Sequence, residues 1–552
     1  MVLALLLSAQ LWAANTKETV EQVTTAVTLT DDVDYIITSS TPFADEGSVN
    51  IQNTDHAVLI LAGVKPSKAT SLLAKYVLIN GQKAVNNTNC QLKMYNRGSI
   101  ILPYAKDLKP LTVYSEQNFE GESYSDFGLE NTGGYMNTLT DKKLNNRIRS
   151  FRLKRGHMVT FSLREGGRGY SRCFIAADED LEVASLPAIL DRSISSYRVF
   201  KWYDAGKPQL AAAAGDYNAC GALNVTSTYT WSAGSSMLPD QECVAHQIYS
   251  TWPSPSSLGS ATYTCHMKTS NEPRNSADDH PETLADILKV WENLMRTGMR
   301  LCSPSSWDGS DYWNGTGFLK EFFDSIDARG WRCDIIDMHC YWAESNFGNL
   351  KNWVNAVHRP IWISEWCWGA SWNNNGSFAS GVTNTQVRDA LRRICTSLNG
   401  MDYVERYFYW NSERDPSRIY KNGALTTAGQ MYAQLDGGLA YNGKYDYAPR
   451  APKQQDPKDL VVNFDKKSQT ATITWYEYNG EMNEYLNIER RETEASPWTV
   501  VADITGIEQA GTQTVGGIEA RQGWEFRISE KDANGKVRST MPAAVSRHRR
   551  TT

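Results

Sequence analysis

Glu272 and Glu365 are the residues of this 552-residue chain whose setting points most directly to chemistry. The first lies in Thr269-Ser270-Asn271-Glu272-Pro273 and the second in Ile361-Trp362-Ile363-Ser364-Glu365-Trp366, so each carboxylate closes a short strand-like run. The C-terminal ends of strands are where a (β/α) barrel presents its reacting groups. Two carboxylates facing one cleft are enough to cleave a glycosidic bond, because one protonates the departing oxygen while the other attacks or activates water. Either motif alone reads equally well as a solvated strand cap. The pair, with aromatics around both, favours catalysis.

The elements that must hold these residues alternate between residues 204 and 446. Strand-like runs are predicted at 209–214, 225–231, 242–248, 263–270, 300–303, 334–341, 361–365 and 403–410, and helical spacing separates them, as over Pro281–Met299. Glu272 then follows the fourth strand and Glu365 ends the seventh. The expected fold class is a multidomain protein, with a (β/α)8 TIM-barrel catalytic domain over 204–446 flanked by all-β domains over 17–107, 108–203 and 452–546. Pro449 and Pro452 punctuate the last boundary.

Composition narrows the function. With 56 basic against 62 acidic residues the formal charge is −6, which gives no footprint for nucleic acid or an anionic membrane. Of 18 tryptophans, most lie between Trp202 and Trp410, and indole faces suit the apolar faces of sugar rings. Met1–Ala14 reads as a secretory signal without the usual basic leader, and no later run approaches a membrane span. A secreted, periplasmic or cell-surface location is expected. None of the ten cysteines shows C-x-x-C spacing, and most are read as small buried hydrophobes. No metal-ligand set or phosphate-binding loop is present in the sequence, so no catalytic cofactor is expected.

Three segments resemble known families. Tyr114-Ser115-Glu116-Gln117-Asn118-Phe119-Glu120-Gly121, Asn145 to Phe151 and Asp191 to Tyr197 resemble the paired Greek keys of the βγ-crystallins. That resemblance raises a structural calcium site. Arg149 and Arg192, at positions where the family motif offers ligands, argue against it. The strands around Trp475, Tyr485 to Arg490 and Trp524 to Ile528 resemble a fibronectin type III sandwich. In the middle segment, Tyr229 to Ser232, Glu242 to His246, Ser270 to Pro273, Met338 to Trp342 and Arg359 to Trp366 resemble glycoside hydrolase clan A, family 128. This implies a retaining endo-β-1,3-glucanase acting on polysaccharide. Glu272 would be the acid/base, Glu365 the nucleophile, and Asn271 a donor to the sugar 2-hydroxyl. Tyr341 is a candidate donor to Glu365, and Trp231, Trp342 and Trp410 would floor subsites that Tyr229, His339 and Trp366 also line. His339 and His246 read first as residues that orient their neighbours. Burial among aromatics is expected to keep Glu272 protonated. A monomer is expected. Another β-linked glycan, or a binding protein without activity, remains an alternative.

Overall fold

The computed structural model describes residues 15–545 apart from 127–132, 140–143, 212–216, 230, 232–240, 276–279, 307–316, 369–380, 412–414, 451–455, 479–482, 506–510 and 533–535. The signal-like Met1–Ala14 and most of the aromatic loop after Ser303 lie outside the described residues.

Eight parallel strands appear where hydrophobic runs predict them. They are β1 (Pro208–Ala211), β2 (Ser227–Tyr229), β3 (Glu242–His246), β4 (His266–Asn271), β5 (Arg300–Ser305), β6 (Ile336–His339), β7 (Ile361–Trp366) and β8 (Val404–Trp410). They form two four-stranded sheets, ordered β2-β3-β4-β5 and β1-β8-β7-β6. Between β5 and β6 run single bridges, Cys302 with Ile335 and Ser306 with Met338. Between β1 and β2 a side chain replaces the ladder: Gln209 Oε1 accepts from the amides of Thr226 (3.0 Å) and Ser227 (2.6 Å).

Alternation along the strands separates two layers. Tyr229, Val244, Cys302, Trp362 and Phe408 share one buried cluster. Met267, Leu301, Met338, Ile363, Trp366 and Tyr407 belong to another, together with helix residues. The helix after β4, Leu284–Arg296, begins three residues later than its apolar pattern suggests, because Thr283 and Asp286 form a capping box; it buries Ile287, Trp291, Leu294 and Met295.

The N-terminal segment corrects the all-β expectation. Six of its strands pair in parallel: Thr16–Val20, Val33–Ile37 and Val58–Leu61 stack in one ladder, and Ala26–Leu29, Ser48–Ile51 and Val77–Ile79 in another, while Gly98–Pro103 runs antiparallel to Val58–Leu61 and to Cys90–Asn96. The chain thus winds coil upon coil around Ile37, Val49, Ile51, Leu59 and Leu61. An α-helix, Pro66–Tyr76, lies in the last coil; Pro66 starts it, and Ala69, Leu73 and Tyr76 turn one face inward. Eleven residues among strand punctuation were too few for a helical period to stand out.

Over residues 111–201 two Greek keys exchange strands. The third strand of the first key, Asn137–Thr138, pairs with Ser196–Lys201 of the second, and the third strand of the second key, Leu181–Val183, pairs with Ser150–Leu153 of the first. Arg149 donates to Asp191 Oδ1 and Glu116 Oε2, both at 3.1 Å.

The chain divides into two compact units, 1–451 and 452–552. Residues 447–449 belong with the first, since Tyr447 donates to Asp327 (2.8 Å) and Pro449 O accepts from Tyr170 (2.9 Å). The second unit pairs three strands and five strands in two antiparallel sheets around Trp475, Ile488, Phe526 and Ile528. Nine of the ten cysteines are buried and Cys173 is partly buried. No helix among the described residues is long and apolar enough to cross a membrane.

Candidate active site

Irregular register at the C-terminal strand ends brings the two glutamates together. In β7, Ile363 opposes Tyr407 and Trp366 opposes Tyr409, so one extra residue is inserted between them. Strict alternation would put Glu365 on the face of Ile363, away from the enclosed cluster. The slip turns it inward, which is the re-aiming a bulge performs next to functional sites. Two further register shifts interrupt β4 against β5, between Met267 and Asn271. Glu272 follows with φ +42°, left-handed for a residue with a Cβ, and its amide donates to Ser305 O at 2.9 Å.

The resulting cluster is compact. Carboxylate oxygens of Glu272 and Glu365 and a ring nitrogen of His339 all lie within 4.8 Å of one another. His339 Nδ1 is 2.7 Å from Glu272 Oε1 and 3.6 Å from Glu365 Oε2. A nitrogen facing two carboxylates must carry hydrogen, so Nδ1 is the donor. Asn275 Nδ2 donates to Glu272 Oε2 at 2.7 Å. Glu365 accepts from Tyr341 at 2.5 Å and from Tyr229 at 3.2 Å.

These contacts reverse the expected protonation of Glu272. Burial opposes its ionisation, but the hydrogen bond and charge of His339, then Asn275, outweigh it and hold the carboxyl below its ordinary value. The converse holds for His339: burial pushes its pKa down, yet Glu365 and Glu272 raise it above that of an ordinary histidine. Tyr229 and Tyr341 are raised well above the usual phenol range by burial and by Glu365.

The aromatic residues divide. Trp231 is the most open, at 36% exposure, with its ring 5.3 Å from His246 and 6.4 Å from Tyr229. Trp410 is partly buried and meets Tyr341 edge-on at 5.9 Å. Trp366, expected to line the site, is fully buried against Phe347, Tyr407 and Tyr409, because it sits on the opposite strand face from Glu365. Trp342 is likewise almost wholly buried, beside Phe347. Asn271 is buried next to Glu272, its backbone N–H donating to Ile248 O at 2.8 Å.

Two contributors escaped the sequence reading. Asn275 had no signal beyond lying three residues after Glu272. Lys268 had one: a lysine in the middle of a buried strand. Its ammonium donates to Ser305 Oγ at 2.5 Å, lies 3.8 Å from Asp337 and sits 5.0 Å from the Tyr229 ring centroid. As for a metal, the trio of Glu272, His339 and Glu365 has the donor atoms to hold one, but the Nδ1 hydrogen bond already fills the gap between His339 and Glu272.

Comparison with known proteins points to the same segment. Residues 222–432 match the glycosyl hydrolase catalytic core. A curated relative, alkali-sensitive linkage protein 1 of Schizosaccharomyces pombe, is 24% identical over 179 residues, covering 29% of this chain and 31% of the relative, so the match spans about a third of that protein. Among solved structures, a GH128 subgroup I endo-β-1,3-glucanase from Amycolatopsis mediterranei is 26% identical, with a TM-score of 0.37 over 41% of this chain and 98% of its own. A GH128 subgroup VII oligosaccharide-binding protein from Trichoderma gamsii is 17% identical, with a TM-score of 0.34 over 41% of this chain and 92% of its own. What the family model shows is a match to a glycosyl hydrolase core over part of a chain that has two compact units.

Proposed function

We propose that residues 204–446 close into a (β/α)8 barrel and that the protein is an exported, retaining endo-β-1,3-glucanase. The observation that carries this reading is the approach of the two carboxylates, one oxygen of each lying within 4.8 Å of the other. Retention requires a separation of about 5 to 5.5 Å, whereas inversion leaves roughly 6.5 to 9.5 Å for a water.

In the first step Glu365 attacks the anomeric carbon as the bond to the leaving oxygen breaks. That oxygen takes a proton from Glu272. Because Glu272 rests ionised, the proton comes from His339 Nδ1, 2.7 Å away. In the second step water attacks the same carbon and frees Glu365. The proton it loses passes to Glu272 and returns to His339. Tyr229 and Tyr341 donate to the nucleophile and fix its rotamer, and Asn271 binds the 2-hydroxyl. Trp231 on one side and Trp410 on the other supply apolar sugar platforms. No metal is needed for any of these transfers, and activity should survive chelation by EDTA.

Proton NMR of fresh hydrolysate tests the reading. A β-configured reducing end on products from β-1,3-glucan is expected. An initial α product would overturn retention, and cleavage of β-1,4- or β-1,6-glucan in its place would overturn the linkage.

A further inference from the structure

Glu272 and His339 both hang their backbone on the end of β5. The amide of Glu272 donates to Ser305 O at 2.9 Å, and the amide of His339 donates to Ser306 O at 2.8 Å. Two consecutive carbonyls therefore set how closely the two side chains meet, at 2.7 Å between Nδ1 and Oε1. Strand pairing does little to fix those carbonyls. β4 slips twice against β5, the second time between Thr269 and Asn271, and β5 meets β6 through single bridges.

Side chains take over the task just below. Lys268 of β4 donates to Ser305 Oγ at 2.5 Å, and Ser305 Oγ donates to Asp337 Oδ2 of β6 at 2.7 Å; the ammonium and that carboxylate oxygen stand 3.8 Å apart. All three residues are at most 1% exposed. One hydroxyl, gripped from both neighbouring strands, thus pins the residue whose carbonyl holds Glu272. Opposite charges spare each other the cost of an unpaired buried ion, but both have still been stripped of water. Apolar residues of similar volume often fill such positions with no loss of stability. What they cannot supply is a directional grip on Ser305. Backbone strain such as that of Glu272, at φ +42°, persists only where its surroundings over-determine it.

We propose that Lys268, Ser305 and Asp337 are positioning residues, a staple across β4, β5 and β6 that holds the carboxyl of Glu272 against His339 for protonation of the leaving oxygen. This rests on the acid role given to Glu272 above. The staple acts on the proton donor and leaves the nucleophile, held by Tyr229 and Tyr341, in place.

Leaving-group dependence tests it. The 2,4-dinitrophenyl glycoside of a β-1,3-linked glucose chain loses its aryl group without a proton, so its kcat/KM does not sense the acid, whereas the unsubstituted oligosaccharide needs one. Ser305→Ala should lower kcat/KM on the oligosaccharide by roughly tenfold to a hundredfold and on the aryl glycoside by no more than about twofold. Lys268→Met combined with Asp337→Asn, which removes both charges together, should show the same split while melting close to the parent. Equal losses on the two substrates, or none on either, would overturn the proposal and leave the trio a packing feature. A parent that cleaves neither substrate would sink the catalytic reading instead, and the staple is then read from a crystal structure of Ser305→Ala. There, a Glu272 that has left positive φ or lost its bond to His339 supports the proposal, and an unmoved one overturns it.

Discussion

Two buried clusters in the same eight strands use the same residue types to opposite ends. At one, Glu242 accepts from His266 Nδ1 (2.8 Å), Thr264 (2.7 Å) and Arg406 (2.7 Å), and beside it Arg300 grips Glu405 with two bonds of 2.7 Å. Glu242 and Glu405 each face a guanidinium, both pairs are buried, and His266 is driven toward neutrality by burial. At the other, Glu272 and Glu365 share a single histidine, and Glu272 keeps partial access to solvent. Charge that is fully matched stays put and serves the fold. Charge held by one shared proton is left able to move.

The largest expected effect tests that division directly. Glu272→Gln and Glu365→Gln should each lower kcat on a β-1,3-glucan oligosaccharide by about a thousandfold or more while the melting curve stays close to that of the parent. A large loss of stability with modest loss of activity would make this cluster structural too. Next in size is Arg406→Met, which leaves Glu242 without its guanidinium and should cost about 3 to 5 kcal/mol in urea unfolding, with kcat little changed where the variant is folded. Tyr341→Phe removes a bond to an ionised group, of about 1.5 to 3 kcal/mol, and should lower kcat/KM by roughly tenfold to a hundredfold.

The subtlest is a displacement, not a loss. His339→Gln should move the alkaline limb of kcat/KM to lower pH, because the proton is then held by a carboxyl alone and no longer by a histidine raised above its ordinary 6.5. Stability follows with a defined sign. The raised His339 contributes fully below pH 6.5 and loses its contribution as pH rises through its folded value, and the lowered Glu272 contributes above 4.5 and loses it as pH falls. The difference in melting temperature between parent and variant should peak between those limits. A pH profile that keeps its limb would show that His339 only positions Glu272.

Much of this was legible in the chain, for definable reasons. Strands buried on both faces read as apolar runs, so all eight were visible, and their order put Glu272 and Glu365 at the C-terminal ends of the fourth and seventh strands. The inserted residue in β7 was not legible, because a bulge depends on the partner strand's register and leaves no pattern in its own sequence. That is why Trp366 was expected beside its neighbour Glu365 and stands instead in the outer layer. The protonation of Glu272 was misread for a related reason. Burial could be anticipated from the aromatics nearby, but a bond from His339, 67 residues away, could not. In the N-terminal coils, short strands were evident, whereas parallel pairing is a property of topology and cannot be read from any one strand.

The left-handed backbone of Glu272 carries a strain that folding alone does not explain. At φ +42° a glycine would rest more easily than any residue with a side chain. Under the proposed reading the carboxyl is the reason the strain is tolerated, because glycine here would relax the backbone and take away the group that hands the proton to the leaving oxygen.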